Sequence, residues 1–301
     1  MEHFMNLSMM EQFQKKMEEK EKSGATIEKY MRDVKSFYHF LNEKGTGDQG
    51  RTADRADEMD SSDRAGQVSK EIVIRYKEKL IRQYAASSVN SMLAALNSFF
   101  REMGWYDCIV KSLKVQRETF RSCEKELTKE EYFKLLKAAK RKGNQRLYLL
   151  METICATGIR VSELRFITVE SLSVKRAKVS LKGKIRSVIL PADLCRELHQ
   201  YIREKEIRSG SIFITKNGLP MDRSNILHEM KNICEEAGVP KEKVFPHNLR
   251  HLFACSYYQA EKDLSHLADL LGHSNINTTR IYTITSGEEQ EKQIEMLGLV
   301  I

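Results

Sequence analysis

Two arginines, two histidines, a lysine and a tyrosine recur in short, ordered segments through the second half of this chain. Arg160 sits in ATGIRVSEL and Lys182 in SLKGKIR. His247 and Arg250 share FPHNLRH, His273 follows in LADLLGHSN, and Tyr282, in TTRIYT, comes nine positions after His273. Those residue types can transfer a phosphoryl group without a metal. Guanidiniums hold the non-bridging oxygens of a phosphodiester, imidazoles and an amine move protons, and a phenol can attack phosphorus. His247 and Arg250 are three apart, so on a helix they share a face. Arg160 precedes Glu163 by three, which leaves two readings of the carboxylate: it orients the arginine, or it is an ordinary cap or surface ion pair.

Other chemistries compete for the same residues. His247 and His251 have the His-x-x-x-His spacing of a zinc pair, with His266 or His273 as a third ligand. Arg250 between them would repel a cation and no HExxH glutamate is present, so no metal and no other cofactor are expected. The six cysteines, Cys108, Cys123, Cys155, Cys195, Cys234 and Cys255, form no CxxC pair and read as reduced thiols; Cys155 and Cys255 lie in apolar stretches and read as small core residues.

Positioning these groups needs a fold. The 301 residues suffice for two domains with separate cores, and a formal charge of +8 suits a polyanionic partner. No apolar run of membrane-spanning length and no signal peptide occurs, so a cytoplasmic protein that does not enter a membrane is expected. Thr26 is placed to cap a helix carrying Ile27, Met31, Val34, Phe37, Tyr38 and Leu41. Ser69 opens a helix with Ile72, Val73, Tyr76 and Leu80, and Ser87 or Ser88 opens another that Gly104 ends. With the amphipathic residues before Thr26, this predicts about four helices over 1–110, interrupted by a polar, solvated insertion at about 45–66. Lys77, Lys79 and Arg82 with Ser87, Ser88, Asn90 and Ser91 suit a surface lying on phosphates, or simply a solvated face. Residues 111–126 read as a basic linker whose Lys111, Lys114 and Arg117 could cross a duplex.

The second domain, 127–301, opens on a capping box, Thr128 with Glu131. An apolar helix near Arg146–Thr157 follows, broken by Gly158. Two short strands are predicted at Lys178–Leu181 and Ser187–Leu190 around a turn at Gly183, and SIFIT at 211–215 as an extended piece. Helices are predicted near 192–207, 223–237, 246–260, 263–272, 276–284 and 286–297. Thr278, Thr279 and Arg280 mark the stretch before Tyr282 as surface-facing.

The segments ATGIRVSEL, SLKGKIRSVILP, FPHNLRHLFA and LADLLGHSNINTTRIYT, in this order, resemble the tyrosine recombinase (phage integrase) family, especially its short Xer-like members. The resemblance spans about 127–297 and is less specific over the N-terminal helices. It implies a mainly α fold: an N-terminal helical, SAM-like core-site-binding domain, then a mostly helical catalytic domain with a small β-hairpin. It makes Arg160 and Arg250 the phosphate clamps, with Glu163 in support. His247 becomes the proton shuttle, His273 a donor to phosphate, and Tyr282 the nucleophile. Lys182 becomes the general acid, although KGKIR is one residue short of the usual turn and leaves Lys184 as an alternative. His251 is left as a packing residue.

The implied activity is site-specific recombination through a 3′-phosphotyrosyl link, without metal or ATP. The implied partners are double-stranded DNA at roughly palindromic core sites, a second protomer on each site, a homotetramer in the synapse, and in some systems accessory proteins. The tail after Tyr282 resembles a segment that docks on its own or a neighbouring protomer. A type IB topoisomerase and a DNA-binding regulator remain as rivals.

Overall fold

A computed structural model describes residues 3–44, 66–114, 126–181, 184–282 and 295–296. The chain forms two compact units, Met1–Arg117 and Glu118–Ile301. Among the described residues no helix is long and apolar enough to cross a membrane.

The first unit is built on α1 (Leu7–Glu19), α2 (Gly24–Lys44), α3 (Lys70–Gln83) and α4 (Ala86–Glu102). Asn6 and Ser69 cap α1 and α3 by accepting from Met9 and Ile72. Two expected helix starts move. α2 begins before Thr26, because the Ser23 carbonyl accepts from Thr26 and Ile27 and the two hydroxyls pair at 2.8 Å. α4 begins at Ala86, with the Ala85 carbonyl rather than a serine side chain receiving the first amides. The core is aromatic: Phe13, Phe37, Phe40, Tyr76, Phe99, Phe100 and Trp105 meet edge-on or stacked at 5.0–6.3 Å. Each such ring is worth roughly 1.5–3 kcal/mol on burial.

A two-stranded sheet was not foreseen. β1 (His3–Met5) pairs antiparallel with β2 (Gly66–Val68), and Gly66 packs so closely on Leu41 that a Cβ would lie 2.8 Å from it. Three-residue strands are too short to show a period of two. Gly66 is therefore strand, while 45–65, the rest of the expected insertion, lies outside the described residues.

The second unit is held by α6 (Gln145–Thr157), which packs against α5 (Lys129–Arg141), α8 (Ala192–Glu204) and α11 (Pro246–Glu261). Leu147, Leu149, Leu150, Met151 and Ile154 bury its inner faces. The Thr128–Glu131 capping box forms, and Lys243, in the 3₁₀ turn Lys241–Lys243 that precedes α11, donates to Glu131 at 2.8 Å. Between α6 and α8 lie the short α7 (Val169–Ser173) and a hairpin of β3 (Arg176–Leu181) with β4 (Lys184–Ile189). Each strand has six residues, in register from Arg176↔Ile189 to Leu181↔Lys184, longer than the predicted pieces. Residues 211–215 form no strand; they touch others through isolated bridges at Ser211 and Ile214. The predicted 223–237 helix is two, α9 (Arg223–Lys231) and α10 (Cys234–Ala237). α12 spans Leu264–Leu271.

The expected 276–284 helix is replaced by two 3₁₀ turns, Ile276–Thr278 and Arg280–Tyr282. Asn275 accepts from Asn277 and Thr279 is drawn fully inside, which fits separate turns better than one continuous helix. Of the predicted 286–297 helix, all but residues 295 and 296 lies outside the described part.

Candidate active site

Two helix ends build the site. α6 closes on Gly158 at φ 61° and α12 on Gly272 at φ 63°, left-handed positions that favour glycine. A Cβ at Gly158 would lie 2.4 Å from the Phe253 ring, and one at Gly272 would lie 2.4 Å from Cδ of Arg186. The left-handed turn at Gly158 sends the chain into Arg160, which starts the 3₁₀ turn Val161–Phe166.

The last carbonyls of a helix have no partner within it and carry the negative end of its dipole. At α12 three arginines supply the partners. Arg186 donates to Leu270 O at 2.7 Å, Arg250 to Leu271 O at 2.8 Å and Arg160 to Gly272 O at 3.2 Å. Arg250, almost fully buried, donates a further bond to Gly158 O at the end of α6. Glu163 joins the other two: Oε1 accepts from Arg160 at 3.0 Å, while Oε2 accepts from Arg186 at 2.6 Å and from the Arg160 amide at 3.0 Å. Glu163 is only 2% exposed, so the surface-pair reading fails. Burial opposes its charge, but the Arg160 amide and Arg186 outweigh this and lower its pKa.

Three guanidiniums thus lie together, and two of them share the one carboxylate, Glu163. Their field shows in their neighbours. Burial, then Arg160, pushes the Arg250 pKa down to about 10, so it stays charged at neutral pH. Burial, then Arg250, Arg160, Arg186 and His247, pushes His273 down to about 4 and leaves it neutral. Arg250 donates to His273 Nε2 at 3.0 Å, so that nitrogen accepts and Nδ1 carries the proton toward Thr279 Oγ1 at 2.8 Å.

Tyr282 ends the second 3₁₀ turn with 5% of its surface exposed. Its ring meets His251 edge-on at 5.1 Å and lies nearly parallel to His273 at 6.4 Å. The structure therefore brings Arg160, Glu163, Arg250, His273 and Tyr282 together. His247, in the first turn of α11, is exposed and close enough for its charge to act on His273. Lys182 lies outside the described residues, between the paired Leu181 and Lys184.

The histidines that the His-x-x-x-His spacing offered as a rival zinc set are not brought together. His247 faces solvent while His251 is buried; His266 pairs with Tyr257 and His273 with Arg250. Cys155 and Cys255 are half-buried and pack against core clusters of the second unit, and none of the described cysteines is in a disulfide.

Two contributors were missed. Arg186 lies in KGKIR, a segment whose lysines carry its motif. Its signal was phase: Ile185 and Ile189 are exposed at 75% and 58% on the outer face of β4, so Arg186 shares the inner face with buried Val188. Thr279, whose polar neighbours mark it as surface, has no exposure.

In the first unit, several residues proposed for DNA contact are engaged by the backbone. Lys77 donates to Lys111 O at 2.7 Å. Asn90 clasps Leu113 through both its amide and its carbonyl at 2.7 and 3.0 Å, so it is structural rather than a surface reader. Arg82, Lys111 and Lys114 are exposed, and Arg117 lies outside the described residues.

Comparison with known proteins matches residues 125–289, more than half of the chain, to the phage integrase family, and residues 9–104 to the phage integrase N-terminal SAM-like domain. The chain belongs to the phage integrase family. It is a tyrosine-type site-specific DNA recombinase, an enzyme that breaks and rejoins DNA strands. The tyrosine recombinase XerA of Thermococcus kodakarensis is 31% identical over 226 residues, covering 72% of this integrase and 77% of the relative. A XerH site-specific recombinase in a post-cleavage complex with palindromic difH substrate shares the fold at TM-score 0.70 and 20% identity, over 90% of this chain and 80% of that one. A lambda integrase dimer bound to a COC′ core site does so at TM-score 0.67 and 19% identity, over 93% and 77%.

Proposed function

We propose that this integrase cuts and rejoins DNA at specific core sites through a 3′-phosphotyrosyl intermediate, using no metal and no ATP. The observation that carries the reading is the set of three arginines on the last carbonyls of α12, one residue before His273 and in electrostatic reach of Tyr282. A scissile phosphate answers their excess charge, and the guanidiniums are already oriented when it arrives.

Arg160 and Arg250 hold the two non-bridging oxygens, planar forks that lysine does not replace. Tyr282 Oη attacks phosphorus as His247 takes its proton. The bond to the 5′ oxygen breaks and Lys182 protonates the leaving group. The phosphodiester energy is retained in the phosphotyrosyl bond, so the 5′ hydroxyl of another duplex can attack and expel Tyr282 without further energy input.

His273 needs no added proton to take part. Phosphate binding draws the Arg250 N–H away from Nε2. Exchange with solvent then takes the proton from Nδ1 and puts one on Nε2, a change of tautomer with no net gain; Thr279, whose hydroxyl both donates and accepts, donates to Nδ1, and Nε2–H donates to a phosphate oxygen.

The unit Met1–Arg117 serves as the core-site-binding domain, with Arg82, Lys111 and Lys114 among its phosphate contacts. The protein acts in the cytoplasm as a dimer on each roughly palindromic site and as a tetramer in synapsis; the lambda integrase dimer on its core site supports the first of these assemblies, and the palindromic substrate of the XerH recombinase supports the site symmetry.

Strand exchange between two linear duplexes of different length, each carrying a site from the flanks of its gene, tests the proposal. Hybrid-length products are expected. Relaxation of supercoiled plasmid without any hybrid product would show a topoisomerase instead.

A further inference from the structure

The chain that follows α4 is strapped back onto that helix. After the 3₁₀ turn Tyr106–Cys108, Ile109 is extended at φ −66°, ψ 129°, close to polyproline II. Asn97, 7% exposed, then engages both backbone groups of Val110. Its amide donates to Val110 O at 2.8 Å, and its carbonyl accepts from Val110 N at 3.1 Å. Asn90 does the same for Leu113, donating to its carbonyl at 3.0 Å and accepting from its amide at 2.7 Å. Between the two, Lys77 of α3 donates to Lys111 O at 2.7 Å.

A carboxamide carries the donor and acceptor of a peptide group, so each asparagine stands in for one residue of a neighbouring strand. The spacing fits this use. Asn90 and Asn97 are seven apart on α4, so they share a face with a rise of about 10.5 Å. Val110 and Leu113 are three apart, one turn of polyproline II, with a rise of about 9.3 Å. The segment therefore runs antiparallel to α4, with Val110 in the core, Leu113 packed against it, and Lys111 and Lys114 exposed. The two clasps differ in purpose. Val110 is buried and its peptide groups need partners, whereas Leu113 is half-buried beside exposed Lys114, where water could serve them. Asn90 holds the chain in place more than it satisfies it.

We propose that Asn90 and Asn97 are positioning residues that fix where the interdomain connection leaves the first unit, and so set the spacing the enzyme accepts between the DNA segment bound by that unit and the scissile phosphate. The proposal rests on the recombinase reading above. With Leu113 held, the chain free to span towards the second unit starts at Lys114. Releasing Leu113 while Val110 stays adds three residues, up to about 10 Å of reach. One inserted base pair moves a phosphate about 3.4 Å along the duplex axis and roughly 35° around it. The added slack can follow that shift; a clasped exit follows it less.

Amide hydrogen exchange of the full-length protein, read by NMR, tests the clasp without reference to activity. Slow exchange is expected at Val110 and Leu113. In Asn90→Ala the Leu113 amide is expected to exchange about tenfold faster or more, while Val110 stays protected. Fast exchange at Leu113 in wild type, or no change there in Asn90→Ala, would overturn the clasp.

Adduct formation on nicked duplexes then tests the spacing, each protein being compared with its own rate on the unaltered site so that a mere loss of stability cancels. With one base pair inserted between the segment footprinted by the first unit and the scissile phosphate, wild type is expected to lose about tenfold in rate and Asn90→Ala only about twofold. Asn90→Asp, which keeps the acceptor for the Leu113 amide and loses the donor, is expected to fall between. A Gly-Ser-Gly insertion after Lys114 leaves both clasps intact and is expected to relax the spacing as Asn90→Ala does. Equal penalties in wild type and Asn90→Ala, or no relaxation from the Gly-Ser-Gly insertion, would overturn the proposal. A wild type that binds its site specifically but forms no adduct would count against the proposed function and not against the clasp, which amide exchange decides.

Discussion

The arginine cluster and the tyrosine segment face the same reaction but are built differently. Arg160, Arg186 and Arg250 are fixed by four backbone carbonyls and by buried Glu163, a lattice that no ligand has to assemble. Tyr282 stands at the end of two successive 3₁₀ turns, seated between histidine rings and almost without exposure. One half is already ordered without a ligand; the other holds Tyr282, the nucleophile of the proposed reaction, where a DNA backbone would not meet it. In the proposed reaction the phosphate binds to a preformed cage and the segment carrying Tyr282 adjusts, so cleavage can be controlled by moving the tyrosine.

The sharpest way to break this contrast is to keep the charge and remove the fork. Arg250→Lys cannot reach Gly158, Leu271 and a phosphate oxygen together. Single-turnover cleavage is expected to fall about 10²–10³-fold while DNA affinity, measured by gel shift, changes little. An effect mainly on affinity would mean that the cage is a docking surface rather than a device for the transition state.

The two helix ends should separate under one substitution. Alanine at either glycine takes on a left-handed strain of about 1–2 kcal/mol. Gly158→Ala also drives a Cβ into the Phe253 ring, whereas Gly272→Ala meets the flexible Arg186 side chain. Thermal melts are expected to show the larger loss of Tm for Gly158→Ala. Among folded protein, Gly272→Ala should show the larger loss of cleavage, because it displaces Arg186 from Glu163. Arg186→Ala itself is expected to lower cleavage about tenfold, by leaving a buried Glu163 oxygen without its cationic partner. Thr279→Val, which removes the partner of His273 Nδ1, is expected to cost a few-fold in rate and to disturb the imidazole tautomer seen by NMR.

A pH titration gives the gentlest probe. His273 is held to about 4 by burial and by three arginines, below its unfolded value near 6.5. Between those values the unfolded chain binds a proton that the folded chain refuses, so its contribution is a loss of stability as pH falls from about 6.5 towards 4. NMR should place its midpoint near the lower figure, and Arg186→Ala, by removing a neighbouring cation, should raise it.

Much of this architecture is legible in the residues alone. Gly158, Arg160, Arg250, Gly272, His273 and Tyr282 stand in short motifs whose order suggested a common site, and the apolar period of α6 marked the helix that supports it. What was not legible depends on contacts between segments distant in sequence. Arg186 matters because β4 places it beside Leu270, 84 positions away. Thr279 is buried because His273 reaches it, although its polar neighbours suggest a surface. β1 and β2 are too short for a period, and their pairing joins residues separated by the whole of α1 and α2. Glu163 looked like a cap because it is one: its Oε2 accepts the Arg160 amide, while Oε1 holds the Arg160 side chain.

The most direct test is covalent. Wild type and Tyr282→Phe are incubated in chelator with nicked duplexes carrying sites from the flanks of the gene. Adducts are resolved in detergent and mapped by mass spectrometry of the nucleotide-bearing peptide. A detergent-stable adduct from wild type, its nucleotide on Tyr282, and none from the variant despite equal DNA binding, is the expected result. An adduct that survives in Tyr282→Phe, or that maps to another residue, would contradict the account.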